Sequence, residues 1–361
     1  MAEDVVHAAE PGSRTVKPPG GLIEHVAAPE KPPATDGDEE RRQPAFLQWP
    51  KLLVGVIAGL AAAAAVIYLF SPHILHDLHQ AHLATRQPVY LLFAFLCVLV
   101  YLAADAATLV QLVRVLNPHA AWRPVTLLML RATAIGGVTS FGGVEIPYQA
   151  FALRRHLASL TESTSTVLVK AIIHTSILVL VALLAFLPVS GSPITTLQRW
   201  LVLGVIALLA VAWLVGSVWV RRPIGLSRLP ERLRRRVHAF RDAFAEFHTA
   251  GWRVVLSVSL LQLLYWAAHL AIIPLILHAL GWRGSLLPIV TSQAVLQVLM
   301  PLSPLPGGAG VAELGYLALI GRSLPPGAAV ASLVLWRAAT WAFPVILGIV
   351  AFGLGNSRHD R

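Results

Sequence analysis

Apolar runs long enough to cross a bilayer recur along the whole chain, at about residues 52–70, 89–113, 164–187, 197–220, 254–280, 286–300 and 328–352. A hydrocarbon core of about 30 Å asks for about 20 such residues per helix. No other feature narrows the choice of fold so far, because a spanning segment must satisfy every backbone group internally, and a helix does so by itself. The composition agrees, with 56% hydrophobic and 13% charged residues and a mean hydropathy of +0.69. The expected class is all-α, a polytopic integral membrane bundle of about seven to nine membrane segments. Two shorter apolar segments, about 125–135 and 311–320, account for the upper count.

Charge divides the chain. Up to Pro50 there are five Lys and Arg against nine Asp and Glu, and after it 23 against nine. Residues 1–50 are rich in proline and acid, without amphipathic period or h-region, and read as a disordered cytoplasmic tail and not a cleaved signal. Residues 51–355 form the membrane domain, and 356–361 a short tail. Arg41, Arg42 and Lys51 precede the first span while the loop after it holds Arg86, which places the N-terminus inside.

Between the spans at 197–220 and 254–280 lies "RRPIGLSRLPERLRRRVHAFRDAFAEFH". Leu226, Leu229, Leu233, Val237, Phe240, Phe244 and Phe247 step by three or four, so residues 221–248 read as a basic amphipathic helix at the cytoplasmic face. One short basic element with no recognised module around it does not indicate nucleic-acid binding. The lone cysteine, Cys97, supports neither a disulfide framework nor a thiolate metal site. His73, His76, His79 and His82 fall in an exposed loop with few acids nearby, and no metal or other cofactor is expected.

Two segments interrupt the apolar pattern. "FGGVEIPYQAFALRR", from Phe141, and "PGGAGVAELGYLALIGR", from Pro306, each run from a glycine pair to a glutamate, to a tyrosine three residues on, and to an arginine. Gly142, Gly143, Glu145, Tyr148 and Arg154 answer to Gly307, Gly308, Glu313, Tyr316 and Arg322. Irregular backbone at membrane depth is tolerated where protein or a water-filled cavity satisfies it, and paired breaks in two halves point to a transporter site between inverted repeats. Glycine-rich turns before a helix expose amides that favour an anion, so Pro306, Gly307, Gly308 and Gly310 are candidates for holding a phosphate. Glu313 then serves another role, pairing with an arginine, binding a proton or meeting a cationic part of the substrate.

Other polar groups lie inside apolar helices. Arg337 sits about ten residues into the last span, where an arginine defaults to a functional group with a partner. It could grip a phosphate or pair with Glu313 or Glu145. Arg131 could play the matching part for the first break. Lys170 with His174, and Gln293 with Gln297, are four apart and share helix faces, with Tyr148 and Tyr316 as further secondary candidates. Asp105 faces the same way as Tyr101.

The GG-x-E break with trailing Arg154 and Arg155, the "PLPGGAGVAE" segment and the Arg337 to Pro344 pattern together resemble the membrane domain of the lysylphosphatidylglycerol synthase and flippase family, the UPF0104 group. The resemblance implies a multi-pass protein of the bacterial cytoplasmic membrane handling lipid-linked material, with membrane lipids, anionic headgroups above all, as partners. In the aminoacylating relatives a separate soluble domain performs transfer. After Phe352 only "GLGNSRHDR" remains, so aminoacyl transfer is not carried over. A separate lipid-modifying enzyme is a partner the resemblance implies. In the family's commoner form an arginine soon follows the first glutamate, whereas Ile146, Pro147 and Tyr148 stand there here.

The expected function is therefore a lipid flippase that passes an anionic phospholipid or lipid-linked headgroup between leaflets, without a catalytic constellation. Two alternatives stay open: a membrane enzyme transferring a group to or from a lipid carrier, and a non-transporting scaffold for cell-envelope synthesis.

Overall fold

The computed structural model describes residues 87–139, 144–185 and 251–356, with scattered positions at 57, 61, 200, 204, 207, 211 and 247. The acidic tail, the expected spans at 52–70 and 197–220, the histidine loop, Gly142, Gly143 and residues 357–361 lie outside the described residues. So does the basic helix, apart from Phe247, which is buried against Leu112, Val169 and Val258.

Every regular element among the described residues is helical. In chain order they are α1 (Val89–Leu116), α2 (Trp122–Val138), α3 (Glu145–Leu153), α4 (Leu160–Ala185), α5 (Trp252–Ala279), α6 (Leu286–Leu299), α7 (Val311–Leu319), α8 (Pro326–Arg337) and α9 (Phe343–Asn356). Among the described residues four helical stretches are long and apolar enough to cross a membrane: Val89–Leu116, Leu160–Ala182, Trp252–Ala279 and Gly327–Leu354. Leu286–Leu302 is a shorter apolar helix. Outward faces match that environment, with Phe93, Leu96, Leu256, Leu260 and Leu264 exposed while Asp105, Lys170, Gln262 and Gln293 are buried. Water-soluble folds distribute these residue types the other way round.

Local chemistry sets the helix limits. α2 carries Pro124 in its first turn, where a missing N–H costs nothing. α4 starts four residues before the expected span because Ser159 and Glu162 form a capping arrangement: Ser159 Oγ accepts from the Glu162 amide at 3.1 Å, and Glu162 Oε2 accepts from the Ala158 amide at 3.1 Å. Between α8 and α9 the chain widens into a π-helical turn, Ala338–Ala342. Pro344 accounts for it, since proline offers no N–H to the carbonyl of Thr340.

The described helices repeat one order twice. A 28-residue helix (α1, α5) leads to a shorter one (α2, α6), then a break, a nine-residue helix (α3, α7), and a long helix (α4, or α8 continued by α9). Packing follows the same pattern. α1 lies along α5, and each half exchanges partners with the other: α2 packs on α9, and α4 on α6. Small residues permit the close approaches. A Cβ at Gly348 of α9 would collide with Ala134 and the Leu130 carbonyl of α2, and one at Gly315 of α7 would stand 2.5 Å from Leu296 of α6.

Candidate functional site

The second break is held in place by a buried ion pair. After α6 the chain makes two tight turns, Met300–Leu302 and Pro306–Gly308, closed by Ser303 Oγ donating to the Ala309 carbonyl at 2.7 Å. Gly307, Gly308 and Gly310 have φ of 62°, 73° and 80°, a region that side chains disfavour. At Gly307 space forbids one as well, since a Cβ would strike the Trp341 indole. Glu313, fully buried in the first turn of α7, accepts from the Gly310 amide at 2.7 Å through Oε2. Its Oε1 lies 2.9 Å from Arg337 Nε.

Arg337 clasps the loop from α8. Nη1 donates to the Gly307 carbonyl at 3.0 Å, and the guanidinium carbon sits 5.2 Å from the centre of the Trp341 ring. Trp341 Nε1 in turn donates to the Gly137 carbonyl of α2 at 2.9 Å. Among the described residues Nη2 of Arg337 is buried without a hydrogen-bond partner, and Nε meets Glu313 Oε1 as an ion pair without an aligned hydrogen bond. Three neighbouring amides of the loop, in contrast, are taken. Those of Gly308, Ala309 and Gly310 donate to Leu305 O, Pro306 O and Glu313 Oε2. Of the amides expected to hold an anion, those of Gly308 and Gly310 are engaged within their own loop, while Gly142 and Gly143 lie outside the described residues.

The first break reaches the same place from the other side. Glu145 opens α3 and accepts from Gln149 Nε2 at 3.0 Å through Oε1. Its Oε2 rests against Gly136 of α2, where an added Cβ would stand 2.6 Å away. Gly136 and Gly137 are neighbours, so one small-residue step of α2 receives Glu145 on one side and the Gly307–Trp341 contact on the other.

Lys170, not Arg131, occupies the position matching Arg337. It follows Glu145 by 25 residues, as Arg337 follows Glu313 by 24, and both lie near the middle of the long helix after the break. Its Nζ is 2.7 Å from Asp105 Oδ2 of α1, and both side chains are about nine-tenths buried. Lys170 and Asp105 lie within electrostatic reach of Glu145. Arg131 turns away and donates to the Ala351 carbonyl of α9 from Nε and Nη2, at 3.0 and 2.8 Å.

His174, Gln293 and Gln297 join a polar seam along α5. His174 Nδ1 pairs with Gln262 Oε1 at 2.8 Å, and Gln262 Nε2 donates to Thr108 Oγ1 at 3.0 Å. Gln293 Nε2 donates to the His269 carbonyl, and Gln297 Nε2 meets His269 Nε2 at 2.8 Å. Tyr101 and Tyr265 pack edge-on and stacked against the His269 ring. The remaining candidates stand outside this seam. Tyr148 packs with Ala132 and Ile135, Arg154 lies over the Phe151 ring at 4.1 Å, and Tyr316 donates to Ser332 Oγ at 2.7 Å while stacking on Trp336. Gly136, Gly137 and Trp341 escaped the sequence reading, although a second glycine pair six residues before Gly142 and an aromatic four residues after Arg337 were visible signals.

An apolar exterior, helices broken at two corresponding places and ionisable groups gathered where the breaks meet define a multi-pass helical membrane protein with an intramembrane polar site. The chain belongs to the family described as the lysylphosphatidylglycerol synthase TM region, whose profile matches residues 56–348. A UPF0104 membrane protein of Archaeoglobus fulgidus is 30% identical over 118 residues, 32% of this chain and 36% of that protein. The match thus spans about a third of that relative's length.

Proposed function

We propose that this protein binds the phosphate of an anionic lipid headgroup at the second break and passes the lipid between the leaflets of a bacterial cytoplasmic membrane, as a transporter and not as an enzyme. The observation that carries the reading is Arg337, buried, anchored on two sides by Glu313 and Gly307, with an Nη2 that has no hydrogen-bond partner among the described residues. A guanidinium so held presents a fixed donor to an oxyanion, and its charge favours phosphate over a neutral group. The family is named for a synthase of a modified phospholipid, which accords with a phospholipid as cargo.

The repeated helix order supplies a route. If the halves are inverted in the membrane, each break opens toward one face, and movement of one half against the other exposes the site alternately. The N-terminus and the basic helix at 221–248 then lie on the cytoplasmic side, where the helix gathers anionic lipid. A separate lipid-modifying enzyme supplies the cargo.

The test is native mass spectrometry of protein purified in mild detergent, comparing wild type with Arg337→Lys, which keeps the charge but loses the fork. An anionic lipid class enriched over its membrane abundance in the wild type and lost in the variant is expected. Identical lipid profiles in the two proteins would remove the headgroup site.

A further inference from the structure

The two halves place a glutamate and a cation at matching positions but wire them differently. In the second half the cation answers its own glutamate, Arg337 with Glu313. In the first, Lys170 is drawn to Asp105 of another helix, and Glu145 forms no ion pair among the described residues. Asp105, Lys170 and Glu145 together would carry one uncompensated negative charge if all were ionised. At membrane depth such a surplus is strongly disfavoured, and a proton on one carboxylate removes it.

We propose that Glu145 is a proton-binding site, and that its protonation sets the partner of Lys170. The surroundings among the described residues accord with this. α1 contributes Asp105, α4 contributes Lys170, and α5 contributes Tyr265, itself within electrostatic reach of Asp105 and Glu145, with Tyr101, His174 and His269 packed around that tyrosine. α2 offers Gly136, its Arg131 being engaged with Ala351, and on α6 the uncharged Gln293 and Gln297 bond to His269. His174 and His269 are occupied by Gln262 and Gln297. The carboxylate faces an amide donor at Oε1 and a glycine backbone at Oε2, whereas a metal cation needs converging oxygens.

With Glu145 as the carboxylic acid, the cluster is neutral and Lys170 stays on Asp105, as seen here. When the O–H bond breaks, the proton leaves to water on whichever side the site opens, and the new carboxylate competes for the ammonium. α3 and α4, which pack together, then gain an attraction at the expense of the one between α4 and α1. Coupling of this exchange to lipid movement rests on the transport reading, while the proton site itself does not.

Infrared spectroscopy of the protein in lipid vesicles at neutral pH tests the site through its protonated-carboxyl stretch. The band should be present in the wild type, lost in Glu145→Gln and retained in Glu313→Gln. Asp105→Asn should also abolish it, since Lys170, released from its partner, ionises Glu145. A band absent from the wild type, or unchanged in Glu145→Gln, overturns the proposal, as does its persistence in Asp105→Asn. Flipping of a fluorescent anionic phospholipid under an imposed pH gradient tests the coupling. A several-fold response in the wild type, absent from Glu145→Gln, supports it. Flipping indifferent to the gradient overturns the coupling and leaves the transport reading standing, whereas no flipping beside an intact band removes transport and leaves the proton site.

Discussion

Set side by side, the two breaks share an order of helices and differ in what neutralises their acids. Glu313 is closed in from three directions, by Arg337, by the Gly310 amide and by complete burial. Among the described residues Glu145 accepts one side-chain hydrogen bond, from the uncharged Gln149. A buried ion pair anchored to backbone resists change, because separating it strands charge in a low dielectric. A carboxylate beside a pair that belongs to others keeps the freedom to change its state. The second half therefore reads as the fixed grip and the first as the adjustable element.

The sharpest way to break this comparison is Arg337→Gln, which strands Glu313. A loss of about 3–5 kcal/mol is expected, measured as reduced unfolding resistance in detergent. Adding Glu313→Gln should recover much of that loss. If the single variant were as stable as wild type, the grip would not be a structural lock.

Gly307→Ala comes next. It forces a side chain into a left-handed conformation and against Trp341, at an expected cost of about 1–3 kcal/mol. Gly204→Ala, where an added Cβ meets nothing within 4 Å, is the control.

In the first half, Asp105→Asn should cost markedly less than Arg337→Gln, because Glu145 stands ready to receive Lys170. Equal losses in the two unfolding measurements would mean that the halves are wired alike after all. The smallest effect is assigned to Trp341→Phe. It removes the hydrogen bond to the Gly137 carbonyl while keeping an aromatic face near Arg337, for about 0.5–1.5 kcal/mol.

Much of the architecture could be read before any coordinates. The expected spans at 89–113, 254–280 and 286–300 fall on α1, α5 and α6, and that at 328–352 falls on the continuous stretch from α8 to α9. Boundaries shifted where a cap outweighed hydropathy, as at Ser159 and Glu162. Of the site, Glu313 with Arg337 was among the pairings the sequence left open, since intramembrane charges must find partners. The partner of Lys170 was not legible, because Asp105 lies 65 residues away and reaches it through the packing of α1 near α4. Arg131 was the residue named for the part matching Arg337, and its turn toward Ala351 follows from the way α9 lies on α2.

By itself, then, the sequence determined that this chain is a helical membrane protein with two breaks and a few charges inside. Long apolar runs and isolated polar residues impose those features whatever the final packing. Tertiary structure alone decided which charge meets which, that Gly136 and Gly137 form the meeting point, and that the amides of Gly308 and Gly310 are spent within their own loop. Such choices depend on contacts between residues far apart in the chain, and distances of a few ångströms between helices are not written in the period of any one of them.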